Sequence, residues 1–253
     1  MNYFFLTSHK NFGCRISVPR FTNDGYQDHA MGLVRASIVD QKWCFHEHSG
    51  PEDGDFWEFE SSPQSADDIF FIATREQLRL QQNSPRLLDL NAYTNTVPDY
   101  RCNVEIFNDS GGFSSYQSEY PYQMATRKGA IYSSIATLSN PSAIKNGLFF
   151  KNIYEHPVHK EFPGWVVNKR TCEVKKSVVL RTNSTSYISL EDLDEDPDFV
   201  FYAKGFLGIP IYVSEDKSGQ LSFEHTHPPH SNVFARFDLI NKVKKSIDVV
   251  VSS

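Results

Sequence analysis

Apolar and polar positions alternate in short runs along most of this chain, and the runs are closed by turn residues. Residues 3–6, 14–18, 33–39 and 42–45 are four such runs, separated by glycine or by Asn-Asp-Gly. That spacing predicts antiparallel strands joined by tight turns. Residues 69–73 form a further apolar run, after which 75–82 switches to strong helix formers around Leu78. A strand is therefore followed by one short helix, which Ser84-Pro85 stops. Residues 102–107 alternate, 108–115 read as a loop, and 128–138 read as either a buried strand or a short helix. Strand-like runs return at 148–154, 165–168, 177–181 and 186–190, and again at 209–213 and 221–223 on either side of the turn Glu215-Asp216-Lys217-Ser218-Gly219. Phe237, Ile240, Val243 and Ile247 then recur at helical spacing and predict a C-terminal amphipathic helix over 237–245. The pattern as a whole predicts a mainly β, α+β protein: an antiparallel β-sandwich or barrel-like core with a few short helices. One domain over 1–253 is expected, with the acidic segment 191–198 as the candidate boundary inside it.

Composition sharpens this picture at three points. Twenty Phe and twelve Tyr against three Met favour strands over helical bundles. A net charge of -6 and a pI of about 5.8 argue against nucleic acid or an anionic membrane as the main partner. The longest apolar stretch, 199–213, is interrupted by Lys204 and two glycines and is too short and broken to span a bilayer. The first residues carry no basic segment and do not read as a secretory signal. Cys14, Cys44, Cys102 and Cys172 lie far apart without a Cys-x-x-Cys pair, so free thiols in a reducing, cytoplasmic compartment are expected.

Candidate chemistry concentrates in residues 208–238. Glu224, His225, His227 and His230 crowd the end of the predicted strand 221–223, and Pro228-Pro229 closes it. The segment His225-Thr226-His227-Pro228, with Asp238 downstream, resembles the zinc-binding stretch of JAMM-type metalloproteases. The resemblance implies that His225, His227 and Asp238 hold a divalent metal such as zinc with a position open to water. Glu224 and His230 are then the candidate acid–base groups. The plainer alternative makes His225 to His230 an ordinary rim loop and Asp238 a carboxylate favoured by a helix N-terminus.

A second His-x-His pair, His46 and His48 with Glu52 after it, resembles the first half of a cupin metal motif. The same residues also read as a polar turn between strands. If the fold brings the two pairs together, they form one shared site, with Glu52 as a further ligand or base.

The other functional class is carbohydrate handling without a metal, whether as a binding module or as a biosynthetic enzyme. Tyr116, Tyr120 and Tyr122, interleaved with polar residues, and Trp165 are the candidate stacking surfaces for sugar rings. On either reading the partner is a small polar molecule or a carbohydrate. Gly111-Gly112 offers a backbone that a phosphate can approach, although the Gly-Lys-Ser/Thr of a P-loop is missing. The alternating aspartates of 191–198 fit a solvated acidic linker better than a calcium loop, since Pro197 stands where the turn glycine belongs.

Overall fold

Short runs rich in aromatic and β-branched residues make strands with one or two faces to bury. The computed structural model describes residues 1–20, 31–48, 54–62, 65–90, 102–135, 142–191, 193, 198–225 and 237–252. In chain order the elements are β1 (Asn2–Phe5), β2 (Gly13–Pro19), β3 (Met31–Val39), β4 (Lys42–His48), β5 (Phe56–Glu60), β6 (Ile69–Thr74), α1 (Arg75–Gln82), β7 (Cys102–Phe107), β8 (Phe113–Ser118), β9 (Tyr120–Pro121), α2 (Tyr122–Ala125), β10 (Lys128–Ser134), β11 (Lys145–Lys151), β12 (Glu161–Asn168), β13 (Val174–Arg181), β14 (Thr185–Ser189), β15 (Phe199–Phe206), β16 (Ile209–Glu215), β17 (Leu221–His225) and α3 (Phe237–Val251).

The mainly β expectation is met by four small antiparallel sheets in a propeller-like arrangement: β4-β3-β6-β1-β9, β10-β15-β12-β13, β14-β11-β16-β17 and β5-β2-β7-β8. Residues 128–134 are strand, which decides between their two readings. Strands β5 and β8 are absent from the pattern reading, and both belong to the last of these sheets.

Side-chain alternation sets the packing. In β11, Leu148 and Phe150 face Phe162 and Phe201 of the β10-β15-β12-β13 sheet, while Phe149 between them joins the largest cluster with Phe4, Ile16, Phe70 and Ile106. This third sheet is therefore apolar on both faces. The outer face of the β10-β15-β12-β13 sheet carries Val167, Val200 and Tyr202, and α3 covers them with Ile247 and the partly buried Val243 and Val251. Asp248 fastens the helix there, accepting from the Tyr202 hydroxyl at 2.8 Å and from Lys204 Nζ at 2.9 Å. Burial raises the pKa of Asp248, but these two hydrogen bonds and the charges of Lys204 and Lys244 outweigh it and hold the carboxyl below its usual range. On the acidic segment, Leu193 packs against the second cluster and Asp198 pairs with Lys169 and Arg170. Asp192 and residues 194–197 lie outside the described residues. Among the described residues no helix is long and apolar enough to cross a membrane.

The most deeply buried charge among the described residues is a lysine. Lys151, the last residue of β11, has 0% of its surface exposed. Its ammonium donates to Thr185 Oγ1 at 3.1 Å and to the carbonyl of Asp67 at 3.4 Å, and the Asp67 carboxylate in turn accepts from the amide of Thr185 at 2.8 Å. Burial brings the lysine pKa down to about 8, against the opposing pull of Asp67, Asp68 and Cys14. Relative to the ordinary lysine value of 10.5, holding the proton at neutral pH costs the folded state about 3 kcal/mol.

The unfolded chain binds the extra proton between pH 8 and pH 10.5, so this group makes stability rise with pH across that window. Denaturant unfolding at pH 7 and pH 10 should therefore show a stability difference between the wild type and Lys151→Met that moves by about 2 kcal/mol in favour of the wild type at the higher pH. A difference that does not change with pH would contradict the buried, depressed lysine.

Candidate functional site

The sheet β5-β2-β7-β8 has one apolar and one polar face because its strands alternate strictly. Cys14, Ile16 and Val18 of β2 and Cys102, Val104 and Ile106 of β7 are buried. The residues between them point outward, and the register aligns them in rows. One row is Glu60, Arg15, Glu105 and Ser115, the next is Glu58, Ser17, Asn103 and Gln117, and a third sets Gly13 beside Phe107 and Phe113. The pairing of β2 with β5 is locked next to the first row, where Cys14 N donates to Ser61 Oγ at 3.0 Å and Ser61 N to the Cys14 carbonyl at 2.7 Å.

A cleft of about 420 Å³ opens on this face, lined by Arg15, Glu60, Glu105, Phe107, Asn108, Gly111, Gly112 and Phe113. Gly13 makes room for the Phe107 ring that lines it, since a Cβ there would meet that ring at 2.3 Å. Phe113 stands on the rim with 66% of its surface exposed. The wall is the turn 108–112, which is held to the neighbouring sheet: Asn108 Nδ2 donates to the Gly219 carbonyl at 3.0 Å. Gly111 takes a positive φ of 81°, and a Cβ on Gly112 would come within 1.9 Å of that same Gly219 oxygen. Only glycine fits this approach.

The hydrogen-bonding capacity of the cleft is lopsided. Arg15 is engaged with Glu105 at 2.6 Å. The amide of Gly112 donates to Asn108 Oδ1 at 2.8 Å and that of Gly111 to the Asn108 carbonyl at 3.1 Å. The glycine turn thus has these two N–H groups committed, which removes the backbone cradle that a phosphate needs. Glu60 is exposed and makes no ion pair among the described residues. The cleft therefore presents an open carboxylate acceptor on one edge strand and an open aromatic ring on the other.

The four aromatics singled out from the sequence lie on different elements. Tyr120 is fully buried and its hydroxyl donates to the Leu207 carbonyl at 3.0 Å, so its ring offers no face to a ligand. Burial also drives its pKa well up. Trp165 is half-buried and stacks on Tyr202 at 5.8 Å, on the face that α3 covers. Tyr122 donates to the Leu87 carbonyl at 3.4 Å beside Tyr3. Tyr116 lies on the inner face of β8 against Phe223 of β17, 4.8 Å between ring centres. These four aromatics follow core packing and do not form one stacking surface.

Glu224 is exposed on the edge strand β17, in register with Tyr212. His225 ends that strand opposite Ile211, and Asp238 is the second residue of α3. His227 and His230 lie outside the described residues, as does Glu52. In β4, His46 is exposed, and a ring nitrogen of His48 hydrogen-bonds the Glu58 carbonyl at 2.9 Å. Among the described residues no group of three His, Cys, Asp or Glu side chains is placed to hold a metal ion.

The close approach of Gly112 to Gly219 yields a direct check. Gly112→Ala should lower the unfolding free energy by about 1–3 kcal/mol, the range for forcing atoms into a packed site. Gly32→Ala, where a Cβ would meet nothing within 4 Å, should change it by less than about 0.5 kcal/mol. Equal effects in thermal and denaturant unfolding would count against the anchored turn. No family model, curated protein or solved structure matches the chain.

Proposed function

We propose that the chain is a carbohydrate-binding protein whose ligand lies across the outward face of the β5-β2-β7-β8 sheet. The observation that carries this reading is the cleft at Arg15, Glu60, Glu105 and Phe113, in which the turn amides and the guanidinium are engaged while a carboxylate and an aromatic ring stay open. Such a site favours a ligand that brings its own donors and an apolar face. Sugars do both, through their hydroxyls and through the C–H surface of the ring, which stacks on aromatic side chains. The Arg15–Glu105 pair then serves as a fixed polar edge. Four free cysteines support a reducing compartment, in keeping with a cytoplasmic protein.

A second reading, metal-dependent catalysis at His225, His227 and Asp238 with Glu224 and His230 as acid–base groups, draws support from the ligand types. It is also favoured by the position of His225 at a strand end and of Asp238 in the first turn of α3. Stoichiometric zinc in the purified chain, lost in a His225→Ala/His227→Ala double variant, would favour it.

For the carbohydrate reading the test is affinity electrophoresis in gels containing soluble polysaccharides. Wild type should be retarded by at least one of them, and Phe113→Ala should lose most of that retardation while its melting temperature stays close to wild type, since the ring is exposed. Retardation that is unaffected by Phe113→Ala, or none with any polysaccharide, would overturn the proposal.

A further inference from the structure

The charge of the cleft narrows the ligand class, on the assumption that this cleft is the carbohydrate site. Among its described lining residues, Arg15 carries one positive charge and Glu60 and Glu105 carry two negative ones, so these residues are net negative by one. The Arg15–Glu105 contact at 2.6 Å neutralises a pair within the wall. What is left over is Glu60, exposed and without an ion pair among the described residues, and its neighbour on the outward face of β5 is a further carboxylate, Glu58. Ser17 donates to Glu58 at 3.4 Å, which leaves that charge in place. Across the cleft stands Phe113, and the Phe107 ring lies over Gly13 beside it. A cleft lined by an unpaired carboxylate and by aromatic rings suits a ligand with an ammonium group and an apolar ring face: the carboxylate supplies the counter-charge and the rings a stacking surface. A neutral sugar would leave the carboxylate only hydroxyl partners, and an acidic sugar would meet like charge.

We infer that the cleft is built for a carbohydrate bearing free amino groups, a glucosamine-type chain, with Glu60 receiving the ammonium and Phe113 the ring face. A polyhydroxyl chain is favoured over a lysine-rich peptide because the outward rows beyond the charges are neutral and polar, Ser115 following Glu105, and Ser17, Asn103 and Gln117 following Glu58. These suit hydroxyls spaced along a sheet face.

The test compares three hexasaccharides of identical β-1,4 linkage that differ only at carbon 2: glucosamine, N-acetylglucosamine and glucose (cellohexaose). Titration calorimetry at low salt should show the glucosamine hexamer binding up to about fivefold more tightly than cellohexaose, the gain expected from one screened ion pair. Glu60→Gln should remove that advantage, and raising the salt should shrink it. Equal binding of all three hexamers, or a glucosamine preference that survives Glu60→Gln, overturns the amino-sugar assignment and leaves the carbohydrate reading standing. Binding of none overturns both. Polylysine binding as tightly as the glucosamine hexamer, and equally weakened by Glu60→Gln, shows that charge alone is recognised and overturns the assignment to a sugar.

Discussion

The ammonium of Lys151 is the constraint on which the arrangement of sheets depends. A buried charge survives only where the surrounding groups are fixed to receive it. Here those groups come from separate elements: the Asp67 carbonyl just ahead of β6, and Thr185 at the start of β14. Thr185 also lies 3.3 Å from the carbonyls of Leu6 and Ala66 through its hydroxyl. Asp68, next along the chain, is held by Arg35 of β3. Burial raises its pKa, and the hydrogen bond and charge of Arg35 offset only part of that. The sheet containing β1, β3 and β6 is thereby tied to the sheet of β11 and β14. Displacing either sheet strands a charge, so this geometry is specified sharply even though the lysine itself is unfavourable to stability.

The same junction reaches the outward face of the β5-β2-β7-β8 sheet. Cys14 of β2 lies close enough to Lys151 for the ammonium to ease the thiol pKa downward, although burial wins and pushes it up to about 11. Its sulfur accepts from the amide of Thr7 at 3.2 Å, and its backbone is bonded to Ser61. The next residue along the strand is Arg15. Inner-face contacts thus fix the strand whose outer face carries the cleft, and the Asn108–Gly219 bond fixes the cleft wall from the other side. A polar surface that would otherwise be an ordinary solvated sheet face is held rigid at two borders, which lowers the ordering cost of binding.

Much of the framework was legible in the alternation of the chain. The runs at 14–18, 69–73, 102–107 and 209–213 fall within β2, β6, β7 and β16, and the switch of period at 75–82 coincides with α1, which the structure caps with a Thr74–Gln77 capping box. The cleft was not legible, because it depends on β5 and β8. Phe56–Glu60 follows an acidic, glycine-containing stretch that reads as a polar turn, and Phe113–Ser118 follows Gly111-Gly112 and is rich in serine, so both take their strand character from partners distant in sequence. Register, which sets Glu60 and Glu105 on either side of Arg15, is a property of pairing and has no local signature. Conversely, the tyrosines of 116–122 stand out in sequence for their density, yet Tyr120 is spent on core packing, where an aromatic ring buries the most apolar area. The one available signal was the alternation of charge with apolar residues in Phe-Trp-Glu-Phe-Glu.

Backbone amide chemical-shift mapping with the glucosamine hexamer addresses the location of the site most directly. The account predicts that the shifts concentrate on Arg15, Glu60, Glu105 and residues 108–113. Shifts centred on residues 224–238, or on the separate cleft of about 520 Å³ at Met31, Gly32 and Thr74, would contradict it.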